Sequence, residues 1–177
     1  MRKPGPKVLP IALVLVLVLG AWLADHLNGS SLDEGDGSFT SGLSDPRKGD
    51  EVYYLAPSVV NKSSQTLELV AVGPQTVDPG MEFVEARIYP EPDRMDGPWL
   101  AWSPGAGDRS SPPSLSSKPI GGQQIAPEST LEGIIYLRYR VTSAQRPLQS
   151  SGVKITYHRG FRNHSQVLPA TYELSPR

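Results

Sequence analysis

His26, His158 and His164 are the only three imidazoles in the chain, and there is no cysteine. Disulfides, thiolate zinc sites, thiol catalysis and lipidation at a cysteine are therefore excluded. His158 and His164 flank Arg159-Gly160-Phe161-Arg162, which reads as a hairpin turn with glycine supplying the positive φ. With a two-residue loop, Gly160-Phe161, position 157 opposes 164 and 158 opposes 163. The two rings then fall on opposite faces. A three-residue loop would bring both to one face as diagonal neighbours. Neither arrangement supplies a carboxylate partner, and two imidazoles make a poor metal site. Met81 and Met95 have no histidine nearby in sequence, so a copper-type Met/His set also lacks ligands. The expectation is no metal and no cofactor.

Nucleophiles and acids are equally thin. No serine sits in a G-x-S-x-G elbow, and Gly105 and Gly107 are loop glycines rather than a phosphate cradle. Glu82 and Glu85 are expected on opposite faces of one strand. Glu91, Asp93 and Asp96 fall in a proline-rich loop. These carboxylates read as solvated surface rather than as a glycosidase pair. The Asp33–Gly37 cluster lacks the spacing and closing glutamate of a calcium loop. The chain is expected not to be an enzyme, with an extracytoplasmic hydrolase as the lesser alternative. Trp99 and Trp102 are the one pair suited to binding, by stacking on a sugar or anchoring a partner, against a plain reading as rim packing. Asn28, Asn61 and Asn163 each start an N-x-S sequon. A eukaryotic secretory pathway would make them glycan acceptors. A cysteine-free exported domain argues for a bacterial envelope setting, so these matches are read as coincidental.

What must position such residues starts at Val8–Ala24, 17 residues with no charged or amide side chain. As a helix this run spans about 26 Å, at the short end for a hydrocarbon core of about 30 Å. Arg2, Lys3 and Lys7 precede it, whereas Asp25, Asp33, Glu34 and Asp36 follow before any basic residue does. The positive-inside rule puts residues 1–7 in the cytoplasm as a basic tail and the rest outside, with Trp22 near the outer interface. Cleavage after Ala24 or Ala21 would place Trp22 or Leu19 at −3, so retention as a signal-anchor is favoured over release of a soluble secreted protein.

Residues 25–50 are acidic, rich in Gly and Ser, and aperiodic. They read as a flexible tether with a reach of about 25–30 Å. Residues 51–177 read as one domain. Without the basic tail, 14 basic residues face 18 acidic ones, which is no footprint for nucleic acid. Eighteen prolines and 17 glycines, with few helix-forming runs, point to an all-β fold. Val52–Asn61, Thr66–Val72, Met81–Tyr89, Glu132–Ser143, Val153–Tyr157, His164–Leu168 and Thr171–Leu174 read as strands. Val84, Ala86 and Ile88 are expected to share one face of their strand. Ile135, Leu137, Tyr139 and Val141 share one face of theirs, with Arg138 and Arg140 on the other beside Ile134 and Tyr136. Residues 90–122 break all periodicity and read as a loop insert, anchored only at Trp99–Trp102. The natural arrangement is an antiparallel β-sandwich of the immunoglobulin-like kind preceded by one transmembrane helix.

The series VVNKSSQTLELVAV, DPGMEFVEARIYP, APESTLEGIIYLRYRV and SGVKITYHRG resembles bacterial membrane-anchored proteins with an extracytoplasmic immunoglobulin-like domain. The resemblance implies fold and location rather than chemistry. It makes the expected role a non-catalytic module, with the membrane and another envelope protein or surface component as partners.

Overall fold

The computed structural model describes residues 20, 30–33, 39–44, 46–91, 99–104, 112 and 115–176. The chain divides into two units, Met1–Ser30 and Ser31–Arg177. The expectations for Arg2, Lys3, Lys7, Trp22 and Asn28, and for Val8–Ala24 apart from Gly20, lie outside the described residues. Among the described residues no helix is long and apolar enough to cross a membrane.

The second unit is all-β. Its strands are β1 (Phe39–Leu43), β2 (Glu51–Leu55), β3 (Leu67–Val77), β4 (Met81–Tyr89), β5 (Ala101–Trp102), β6 (Lys118–Pro119), β7 (Gln124–Ile125), β8 (Ile134–Val141), β9 (Leu148–Arg159) and β10 (Arg162–Leu174). One sheet runs β1-β10-β9-β3-β7 and the other β5-β2-β8-β4-β6. Every pairing is antiparallel except β1 with β10, which is parallel, so the first sheet is mixed rather than purely antiparallel.

One core draws on both sheets. Ile135, Leu137, Tyr139 and Val141 of β8 line it, as their alternation predicts, and Val153, Ile155 and Tyr157 of β9 face it from the other sheet. Tyr54, Tyr139, Tyr157 and Tyr172 are among its largest fully buried side chains. Each places its hydroxyl on a partner, because an unbonded buried hydroxyl would cost on the order of 1–3 kcal/mol. Tyr54 donates to the Glu173 carbonyl at 2.9 Å and Tyr172 to the Leu55 carbonyl at 3.0 Å. Tyr139 shares a 2.9 Å bond with Ser150, and the Tyr157 oxygen accepts from the Ser31 backbone N–H at 3.2 Å. Tyr54 and Tyr172 stack across the two sheets with ring centroids 4.9 Å apart.

Several expectations are corrected. The folded unit begins at Ser31, inside the stretch read as tether. Ser31 and Leu32 are 1% and 4% exposed, Leu32 bridges Asn61, and β1 adds a strand to the edge of β10. Leu32, Phe39 and Leu43 carry enough apolar surface to hold these pieces down although glycine and serine dominate around them. Met81–Tyr89 does not keep one phase, because a bulge between Phe83 and Glu85 makes Val84 the extra residue. Phe83 and Ala86, not Val84, pack against the core. Glu82 and Glu85 thereby come to the same outer face, where the outward arginines of β8 meet both. The two pieces read near the C-terminus are one strand, β10, with an irregularity between Leu168 and Thr171 that accommodates Pro169. The 90–122 insert contributes β5 and β6 to the two edges of the second sheet, and Ile120 to the core.

Gly80 turns the chain from the first sheet into the second. A Cβ there would meet Leu148 at 2.5 Å and Ser143 at 2.8 Å, so no larger residue fits without displacing the β8–β9 connection.

Candidate functional site

Strand β8 alternates, so its even-numbered residues point away from the core. Register then fixes their neighbours on the outer face of the second sheet. One row runs Trp102, Tyr53, Arg138, Glu85 across β5, β2, β8 and β4. The adjacent row runs Leu55, Tyr136, Arg87, Pro119, and beyond it Ile134 pairs with Tyr89. On the opposite side, Glu51, Arg140 and Glu82 form a third row.

The aromatic half of this face is a second apolar cluster. Tyr53, Tyr89, Trp102 and Tyr136 are buried in it, with Leu55, Leu115 and Ile134 packed alongside. Trp102 meets Tyr53 edge-on at 5.3 Å, and Tyr89 meets Tyr136 edge-on at 5.6 Å. Described residues of the insert close on this face from its edges: residues 99–104 lie along β2 as a strap, and Leu115 and Ser117 approach from the β4 side. The Leu55 N–H donates to the Leu100 carbonyl at 3.0 Å, and the Tyr136 hydroxyl donates to the Trp99 carbonyl at 2.9 Å. Ser103 donates to the Glu51 carbonyl at 3.0 Å, and Arg87 Nε donates to Ser117 Oγ at 2.6 Å. Burial raises the Tyr53 and Tyr89 hydroxyls above the usual tyrosine value and pushes Tyr136 up to about 12.

The charged half is an ion-pair lattice. Arg138 reaches Glu51 at 3.3 Å and Glu85 at 2.8 Å, and Arg140 reaches Glu51 at 3.7 Å and Glu82 at 3.8 Å. Arg87 also contacts Glu85, at 3.5 Å. Each carboxylate faces a guanidinium rather than a second carboxyl. The geometry is that of cross-strand pairing, not of a general acid facing a general base.

The two tryptophans part company. Trp102 is 8% exposed and belongs to the cluster, whereas Trp99 is half-buried at the start of the strap. The indole N–H of Trp102 is buried with no acceptor among the described residues. Leu100, between them, is exposed. At the far end of the same sheet a groove of about 580 Å³ opens beside Tyr89. Ile88, Tyr89 and Leu131 form its apolar wall, with Glu91, Lys118 and Glu132 at its margin. Tyr53, Tyr89 and Tyr136 were not singled out in the sequence. The signal was present as aromatic residues out of phase with the core positions of three strands that prove to be neighbours.

Elsewhere the sequence candidates separate. The hairpin loop is the two-residue Gly160-Phe161, with His158 opposite Asn163 and His164 opposite Tyr157. The two imidazoles therefore lie on opposite faces, and His164 stacks on Tyr157 with centroids 5.7 Å apart. No group of three potential metal ligands occurs among the described residues. Ser151 and Lys154 stand at S-x-x-K spacing, but Ser151 shares a 2.7 Å bond with Thr76 in an exposed position and Lys154 is exposed, so no enclosed site surrounds them.

Asn61 is 0% exposed and acts as a structural hub. Its Nδ2 donates to the carbonyls of Gln65, Ile125 and Ala126 at 2.8, 3.1 and 2.9 Å. Its Oδ1 accepts from the Ser63 N–H and hydroxyl at 2.9 and 2.7 Å. The serine of this sequon is thus the partner of an Asx-turn, and the folded chain offers no free amide for a glycan. Asn163, by contrast, is exposed.

Comparison of the chain with protein-family models, with curated proteins and with solved structures returns no match.

Proposed function

We propose that this chain is a single-pass membrane protein that displays a non-catalytic, immunoglobulin-like β-sandwich outside the cell as a binding or envelope-assembly module. Val8–Ala24 is the signal-anchor, and Arg2, Lys3 and Lys7 hold the N-terminus in the cytoplasm. The working surface is the outer face of the second sheet, around Trp99 and Trp102, and its partner is another envelope protein or surface component. The observation that carries the binding role is that outer face itself. It holds a second aromatic cluster under a strap, with an exposed leucine on the strap and an apolar groove at the end of the sheet. Two facing sheets around one core support the sandwich, and the parallel β1–β10 edge is the one departure from an antiparallel plan.

A second reading has an observation in its favour. The compact unit Ser31–Arg177 lies wholly beyond Ala24, so cleavage there would release it intact as a secreted factor. One experiment decides between them. Leu100→Cys gives the chain its only thiol, and a membrane-impermeant maleimide is applied to intact cells. The anchored reading predicts labelling from outside, on a species that pellets with membranes and keeps its N-terminus. A labelled soluble species starting beyond Ala24 would establish the secreted form. A thiol protected until the cells are lysed would overturn both.

A further inference from the structure

The tip of the β9–β10 hairpin carries a feature that neither the core nor the outer face of the second sheet uses. Phe161 is 110% exposed, touching nothing beyond its own turn. Gly160, at φ 61°, makes the two-residue turn that holds it out. Arg162 beside it is exposed as well, and Asn163 follows. An aromatic ring held this far into water contributes nothing to the fold, and the turn itself requires no phenylalanine.

The same end of the unit is where the folded chain begins. Arg159, one residue before the turn, donates from Nη1 to Ser31 Oγ at 2.9 Å. The Ser31 N–H donates to the Tyr157 hydroxyl at 3.2 Å. Gln166 clasps Leu32 from both sides, accepting from its N–H at 3.1 Å and donating to its carbonyl at 2.8 Å. These contacts pin the start of the unit to the hairpin, close to its tip. From Ala24, the last residue of the proposed anchor, to Ser31 is seven steps of chain. Fully extended, they reach about 25 Å.

We infer that the Phe161 tip is a lipid-docking finger, its ring seated in the headgroup region of the membrane that holds Val8–Ala24. This rests on the anchored reading proposed above. The short reach keeps the tip near the bilayer, and phenylalanine is one of the apolar residues that enter the interface. Arg162, exposed beside the ring, favours anionic headgroups, whereas Arg159 is buried and engaged with Ser31. The neighbouring charges are Lys62, ion-paired with Asp33 at 2.7 Å, and Glu68, opposite His158 on β3. Docking orients the sandwich, with the hairpin end on the membrane and the Thr142–Pro147 connection away from it. β9 separates the two by 12 residues, roughly 40 Å.

The test uses the full chain reconstituted in vesicles of phosphatidylcholine and phosphatidylglycerol. A single Asn163→Cys, unique in a cysteine-free chain, carries an environment-sensitive fluorophore, and Gln145→Cys serves as the distal control. The expected result is blue-shifted emission at 163, quenched by lipid-borne nitroxide, and water-like emission at 145. Phe161→Ser, which disturbs no packing, should lower the ratio of docked to free tip roughly 10- to 100-fold. Water-like emission at both sites in vesicle-bound protein would overturn the finger and leave the anchor standing. Protein that floats free of the vesicles would overturn both. Lipid contact at 163 that survives Phe161→Ser would also overturn the inference, since Phe161 would then not be the docking group.

Discussion

The two faces of the second sheet are built from the same strands, yet they are buried by different means. On the inner face, Leu137 and Tyr139 of β8 lie in a core shared with the opposing sheet, and Tyr139 bonds to Ser150 across it. On the outer face, Tyr136 of the same strand packs on Tyr89 and donates to the Trp99 carbonyl of a strap held by a few hydrogen bonds. The first is burial that the fold requires. The second is burial that a peripheral segment confers and that a partner's surface could extend. The comparison teaches that a β-domain can carry two buried aromatic clusters, one closed by a facing sheet and one on a sheet's outer face, and the proposed recognition role falls to the second.

The largest expected difference between the faces is in packing. Leu137→Ala should destabilise the unit by about 2–5 kcal/mol, because the surrounding core cannot collapse into the space. Trp102→Ala should cost about 2 kcal/mol, since the strap can settle onto Tyr53. Urea unfolding of both variants measures this, and equal losses would mean the strap is as rigid as the core.

Alkaline pH tests dryness directly. Burial pushes both Tyr136, outer, and Tyr139, inner, up to about 12 from 10.0. A tyrosine with a raised folded pKa gives stability that is fully present below 10 and is lost as pH rises towards the folded value. The unfolded state loses its proton first, so its ionisation favours unfolding. Each residue should therefore contribute a loss of about 2 kcal/mol by pH 12. Tyr139→Phe and Tyr136→Phe should each flatten the decline by a similar amount. Relief from the first without the second would show that water reaches the outer cluster.

Smallest is the lattice. Arg138 and Glu85 are each about one-third exposed, so Glu85→Gln should cost at most about 1 kcal/mol and be masked by salt. A double-mutant cycle with Arg138→Gln reads the coupling. A larger value would make the charged half a structural necessity rather than a surface.

Much of the inner face was legible in the sequence. The alternation of Ile134–Val141 separates its two faces correctly, and Arg159–Arg162 marks the hairpin turn, although the choice between a two- and a three-residue loop, and with it the register, came only from the structure. What was not legible has physical causes. β1 is five residues, FTSGL, whose alternation is too short to stand out from a Gly/Ser stretch, and its partner β10 lies far along the chain. The bulge lies between Phe83 and Glu85, and because Phe83 and Val84 are adjacent apolar residues, either phase reads equally well there. Asn61 announces a turn by its type, but the carbonyls it gathers from Ile125 and Ala126 are set by tertiary approach. Of the candidate site, the sequence showed Trp99, Trp102 and the outward side of β8 with Ile134, Tyr136, Arg138 and Arg140. Tyr53, Tyr89 and Tyr136 come together through strand order, which no local pattern encodes.

The outer face as the working surface is tested most directly by photo-crosslinking in intact envelopes. A photoreactive residue in place of Leu100, exposed on the strap, is compared with one in place of Lys154, exposed on the other sheet. The account predicts a discrete adduct from position 100 that disappears on Trp102→Ala, and none from 154. Adducts from 154 alone, or a position-100 adduct indifferent to Trp102, would contradict it.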